Sequence, residues 1–158
     1  MHGLTPDGQL LNDITVEIFA VNGRFLRTGD AVSGKVGLTS ARWQVMGLLT
    51  NGPAPVAHLA RERGLRRQAV QQTVGRLEAE GMVEVGPNPR DRRAPLVQLT
   101  ARGKQALEDL DPIERRWIEG LAEPFSHEDL DATLRVLRAL RGQLDEQLRA
   151  AGEDGGTA

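Results

Sequence analysis

Leu59-Ala60-Arg61-Glu62-Arg63-Gly64-Leu65-Arg66-Arg67-Gln68-Ala69-Val70 has the spacing of two short helices folded against each other across a glycine. Small Ala60 lets the second helix approach closely, Gly64 can take the positive φ of a tight turn, and Leu65 with Val70, Val74 and Leu77 is expected to bury the inner face. The first helix of the pair is placed from Pro55, suited to a first turn, to Arg63, and the second from Arg67 to Glu80 with Gly81 as its cap. Two β-type runs follow, Met82 to Val85 and Leu96 to Thr100. They read as a hairpin with a long tip, Asn88-Pro89-Arg90-Asp91-Arg92-Arg93.

The outer face of the second helix and the hairpin tip carry the chemistry. Gln68, Gln71 and Gln72 can pair with adenine edges, and Arg66, Arg67 and Arg76 with guanine or phosphate, so this face suits a major groove. Arg90, Arg92 and Arg93 concentrate guanidinium groups on a short loop that suits a narrow, electronegative minor groove. The whole chain has a net charge of −2, which by itself disfavours a nucleic-acid partner. The charges are unevenly spread, however: residues 58–104 carry 10 basic against 5 acidic groups, residues 1–57 carry 4 of each, and residues 105–158 carry 6 against 13. A basic middle is therefore masked by an acidic end. A double-stranded DNA partner is expected for the segment from about His58 to Lys104.

Working outward, Ile14, Ile18, Val21 and Phe25 recur at helical spacing and predict a helix from Leu11 to near Gly29. Thr39 can cap a helix that buries Trp43, Val45, Met46, Leu48 and Leu49 and ends at Asn51-Gly52-Pro53. Beyond the hairpin, Thr100 can cap a helix through about Ile118 that Pro112 is expected to kink or interrupt. Ser126 and Asp129 open the last helix, whose Leu130, Leu134, Leu137, Leu144 and Leu148 approach heptad spacing; residues 152–158 read as a disordered tail. The composition, with 39% hydrophobic and 3% aromatic residues, favours aliphatic helix packing over an all-β sandwich.

The fold expected is mainly α with a small β-hairpin wing, a winged helix-turn-helix in a single domain spanning residues 1–158. The lobe covers residues 38–104, and dimerisation helices cover 10–29 and 105–150. The chain has no cysteine, and His2, His58 and His127 are too scattered for a metal set, so neither metal nor cofactor is expected. His58 reads as a surface or packing residue. The acidic residues suit helix N-termini and solvated faces better than a catalytic pair, and the glycines form no phosphate loop, so no enzyme is expected. The start, Met1 to Leu10, lacks the pattern of a secretory signal, and no apolar run approaches the ~18 residues of a membrane span. A cytoplasmic, nucleoid-associated protein is expected, with no membrane partner.

Arg76-Leu77-Glu78-Ala79-Glu80-Gly81-Met82-Val83, Asn88 to Arg93 and Leu99-Thr100-Ala101-Arg102-Gly103 resemble the MarR family of bacterial regulators, from the first helix to the last. The resemblance implies a homodimer built from the first and last helices, with Leu11, Ile14, Ile18, Leu137, Leu144 and Leu148 at the seam. It implies that Asp91 orients Arg93 for the minor groove, and that a ligand, of phenolic or lipophilic kind, enters a pocket for which Phe19, Phe25, Trp43 and Met46 are the candidates. A repressor released from a palindromic operator is the function implied. The alternatives are an architectural or constitutive DNA-binding protein without an effector, and a protein-interaction module or enzyme using the acidic end. Arg66, Ala69, Gly75, Val85-Gly86 and Pro95 depart from the family's common residues, so the operator is not inferred from relatives.

Overall fold

Helix α1, Pro6–Ser33, begins before the apolar stripe does because Thr5 accepts a hydrogen bond from the Gly8 amide and Pro6 needs no partner at the first helical position. A computed structural model of the chain describes residues 3–152. His2 and the tail beyond Gly152 lie outside the described residues. The chain, expected as one domain, divides into two compact units, Met1–Trp117 and Ile118–Ala158.

In the first unit a 3-10 turn, Gly34–Val36, leads from α1 to α2, Ser40–Leu49, which Thr39 caps through the Arg42 amide. Strand β1 is only Ala54–Pro55; Pro55 is the N-cap of α3, Val56–Arg63, and not its first helical residue as expected. Helix α4 is Arg67–Ala79, and strands β2, Val83–Gly86, and β3, Leu96–Leu99, form the hairpin. The sheet order is β1-β3-β2, all antiparallel, with Ala54 opposite Val97 and Val83 opposite Leu99. Proline is tolerated in β1 because that strand lies at the sheet edge.

The core sits among α2, α3, α4 and the sheet. Val45, Met46, Leu59, Val70, Val74, Leu77, Val83 and Val97 are all buried there, and Leu110 from helix α5, Ala101–Ala122, closes it. Of the kink or interruption expected at Pro112, the interruption does not occur: helix α5 runs through it. Pro112 is exposed, so the carbonyl it leaves without a helical donor can turn to water. The second unit holds the end of α5 and helix α6, His127–Ala150, capped by Ser126 through the Asp129 amide. No residue of α6 is buried, and Leu130, Leu134, Leu137, Leu144 and Leu148 form an exposed apolar seam along it.

Candidate nucleic-acid interface

The turn between α3 and α4 is closed by backbone alone. Gly64, at φ +62°, donates to the Arg61 carbonyl at 3.1 Å, and Leu65 donates to the Ala60 carbonyl at 2.9 Å. This pairing spends the last carbonyls of α3 and sets the direction in which α4 departs. Leu65 was expected to pack inward, yet its side chain is 42% exposed. Its amide does the holding, because the residue after a left-handed glycine is bonded back to the helix and its side chain stays outside the helix pair.

Helix α4 then has two clearly different sides. Val70, Val74 and Leu77 are buried against the core, while Arg67, Gln68, Gln71, Gln72 and Arg76 are exposed. At about 20 Å long this helix suits a major groove about 12 Å wide. Arg66 stands at the N-cap in extended geometry and gives no side-chain cap, so the first amides of α4 remain available to an anion. The Arg42–Glu80 ion pair, at 2.8 Å, ties the far end of α4 to α2.

The loop between β2 and β3 is braced from within. The Asn88 side chain donates to the Ala94 carbonyl at 2.9 Å and accepts from the Arg90 amide at 3.0 Å. Asp91, expected to orient Arg93, accepts from the Arg93 backbone amide at 2.9 Å. A carboxylate reaches the amide two residues on more readily than the end of a long side chain, the usual preference of Asp in turns. Arg90, Arg92 and Arg93 are exposed, and among the described residues none has an ion pair. Braced backbone and unspent guanidiniums together make a stiff basic tip.

An open cleft of about 620 Å³ lies in the same unit, lined by Phe25 and Trp43 but also by Trp117, Asp111, Glu114 and Arg63. Of the other pocket candidates, Met46 is fully buried in the core and Phe19 is 74% exposed on α1; neither lines the cleft. Trp117 was missed although Leu107, Asp111, Glu114 and Trp117 recur at helical spacing and share one face of α5. Acidic residues at such spacing suit a solvated face equally well, which hides the cleft from the sequence. His58 is exposed, with Nδ1 3.4 Å from Arg61, and His127 opens α6. Among the described residues no helix is long and apolar enough to cross a membrane.

A helix-turn-helix with a polar outer face and an arginine-tipped hairpin beside it defines a winged-helix DNA-binding lobe. A family model described as MarR family matches residues 36–94. The transcriptional activatory protein BadR of Rhodopseudomonas palustris is 33% identical over 159 residues, covering 94% of this chain and 89% of the relative. Among solved structures, a MarR/EmrR family regulator from Acinetobacter sp. ADP1 superposes with a TM-score of 0.78 at 23% identity, covering 85% of this chain and 96% of that one. A mutant MarR from E. coli complexed with operator DNA superposes with a TM-score of 0.72 at 21% identity, covering 81% and 93%. The chain belongs to the MarR family of DNA-binding transcriptional regulators and is not an enzyme.

Proposed function

We propose that the chain acts as a homodimer on a palindromic operator, laying one α4 helix in each of two major grooves about 34 Å apart and its wings in the flanking minor grooves. The observation that carries this reading is the exposure, on one lobe, of the Arg67, Gln68, Gln71, Gln72 and Arg76 face together with the unspent guanidiniums of Arg90, Arg92 and Arg93. Arg66 and the uncapped amides behind it serve the phosphate backbone. The dimer is supported by two apolar seams left to water by one chain. Leu11 on α1 is exposed with Ile14 and Ile18 half-buried beside it, and Leu137, Leu144 and Leu148 are exposed on α6. The site of action is the nucleoid in the cytoplasm.

The cleft is the proposed effector site. Its volume lies within the roughly 300–1,000 Å³ usual for small-molecule sites. Its wall contains the joint between α1 and α2: Ser40 Oγ donates to the Leu26 carbonyl at 2.6 Å, and the Ser40 amide donates to Asp30 at 2.7 Å. A ligand pressing there moves α2, on which α4 packs, and changes the fit of α4 to its groove. Occupation of an operator overlapping a promoter represses; the name of the R. palustris relative favours activation as the second reading.

Selection of bound fragments from the source genome, followed by footprinting, tests the proposal. Two protected half-sites one helical turn apart are expected, with log affinity falling linearly as log salt rises. Absence of duplex binding at low salt overturns it. Operator binding that no small amphiphile alters leaves a constitutive regulator.

A further inference from the structure

The effector cleft has a charge as well as a shape. Trp117 stands between two other rings: Phe25 meets it edge-on, with centroids 5.8 Å apart at 77°, and Trp43 lies tilted to it at 6.1 Å and 50°. Aromatic faces gathered in this way carry negative potential and attract cations. Glu114 and Asp111 stand about one and two turns before Trp117 on the same face of α5, and both line the cleft. Burial, and after it the repulsion of Asp111, pushes the Glu114 carboxyl above its ordinary value. Among the described residues Glu114 has no ion pair, while Asp111 is paired with Arg115 at 2.9 Å. Arg63, the cation lining the cleft, is held to two other residues of its wall, Gln44 and Gly47. Its Nε donates to the Gln44 carbonyl at 3.2 Å and its Nη2 lies over Gly47, a turn along α2 from Trp43.

We infer that the cleft selects a cation with a flat apolar body, an aromatic or alkylated ammonium whose charge rests against Trp117 and beside Glu114 and Asp111. This rests on the assignment of the cleft as the effector site. An aromatic carboxylate of the same size brings its charge toward the Glu114 carboxylate, unpaired among the described residues, with Asp111 beside it already paired to Arg115, and has Arg63 alone among the lining residues to receive it. A cation offsets the repulsion that Glu114 and Asp111 exert on each other, so its binding removes an unfavourable term from the empty cleft.

The chain has two tryptophans, Trp43 and Trp117, and both line this cleft, so indole fluorescence reports on it directly. The full chain is titrated with benzyltrimethylammonium and, separately, with benzoate. Saturable quenching by the cation, at least about tenfold tighter than by benzoate, is expected, and Glu114→Gln weakens the cation about tenfold while leaving benzoate unchanged or tighter. Benzoate binding as tightly as the cation overturns the inference and leaves the effector site standing. Unchanged cation affinity in a folded Glu114→Gln chain overturns it in the same way. Quenching by neither compound removes both the inference and the assignment of the cleft. Should Glu114→Gln fail to fold, the comparison of the two probes on the natural chain decides.

Discussion

Gly103 admits no side chain. A Cβ there would run into the Met82 carbonyl oxygen, a backbone atom that cannot rotate away, with Leu99 Cδ2 at 3.2 Å on another side. Thr100 holds the same spot closed: its hydroxyl donates to the Gly81 carbonyl at 2.6 Å and accepts from the Gly103 amide at 3.1 Å. Alanine would gain about 1 kcal/mol of helix propensity, but overpacking against fixed backbone costs about 3 kcal/mol, so the clash wins. Gly103→Ala is expected to lower the urea midpoint accordingly, and an unchanged midpoint would refute the contact. At the wing, the Asp91 bond to the Arg93 amide needs an acceptor and no charge. Asp91→Asn should therefore keep operator affinity, whereas Asp91→Ala and Arg93→Ala should each lose roughly 1–3 kcal/mol in operator titrations. Equal losses for Asn and Ala would point instead to an ion pair with the arginine. The family resemblance brought out Asp91 and Arg93 as partners. Which atom of Arg93 the carboxylate meets depended on the backbone path of the loop.

Among the elements, α1 and α2 meet at Gly29, where a Cβ would stand 2.5 Å from Ser40 Oγ. That oxygen is the far end of a serine, not backbone, and this makes the contact testable. Gly29→Ala should destabilise the chain by about 1–3 kcal/mol, and adding Ser40→Ala should recover part of the loss, since the next neighbour, Ser40 Cβ, is at an ordinary 3.6 Å. Simple additivity in a denaturation cycle would separate the two residues. The helices themselves were legible from caps and apolar spacing: Thr39, Gly64, Gly81 and Ser126 each fall where an element starts or stops. Strand β1 was not, because Ala54–Pro55 has no strand pattern and exists only by pairing with Val97 and Leu96 of β3. The persistence of α5 through Pro112 was likewise invisible, being a matter of what the exposed side of the helix can release to water.

For the whole molecule, α6 gives the proposed homodimer its main support. A helix of 24 residues with none buried, yet with leucines at five seam positions, wastes apolar surface unless another chain covers it. Leu144→Asp is expected to yield a monomer in sedimentation, or an unfolded chain, and the melting temperature of the natural protein should rise with its concentration. A Leu144→Asp protein that sediments as a dimer, with a concentration-independent melt, would rule out this seam. The charge division of the sequence anticipated how such a chain, with a net charge of −2, still presents a basic lobe.

By itself the sequence determined the helix pair around Gly64 and the arginine tip, since each rests on local steric and charge rules that act within a few residues, and its motifs carried the resemblance to the family. Tertiary structure decided the cleft. Phe25, Trp43 and Trp117 lie far apart in the chain and become one aromatic wall only where α1, α2 and α5 converge, and the same convergence brings Glu114 and Asp111 from an apparently solvated face into that wall. Periodicity assigns a residue to one face of its own helix; which other faces it meets is settled by packing.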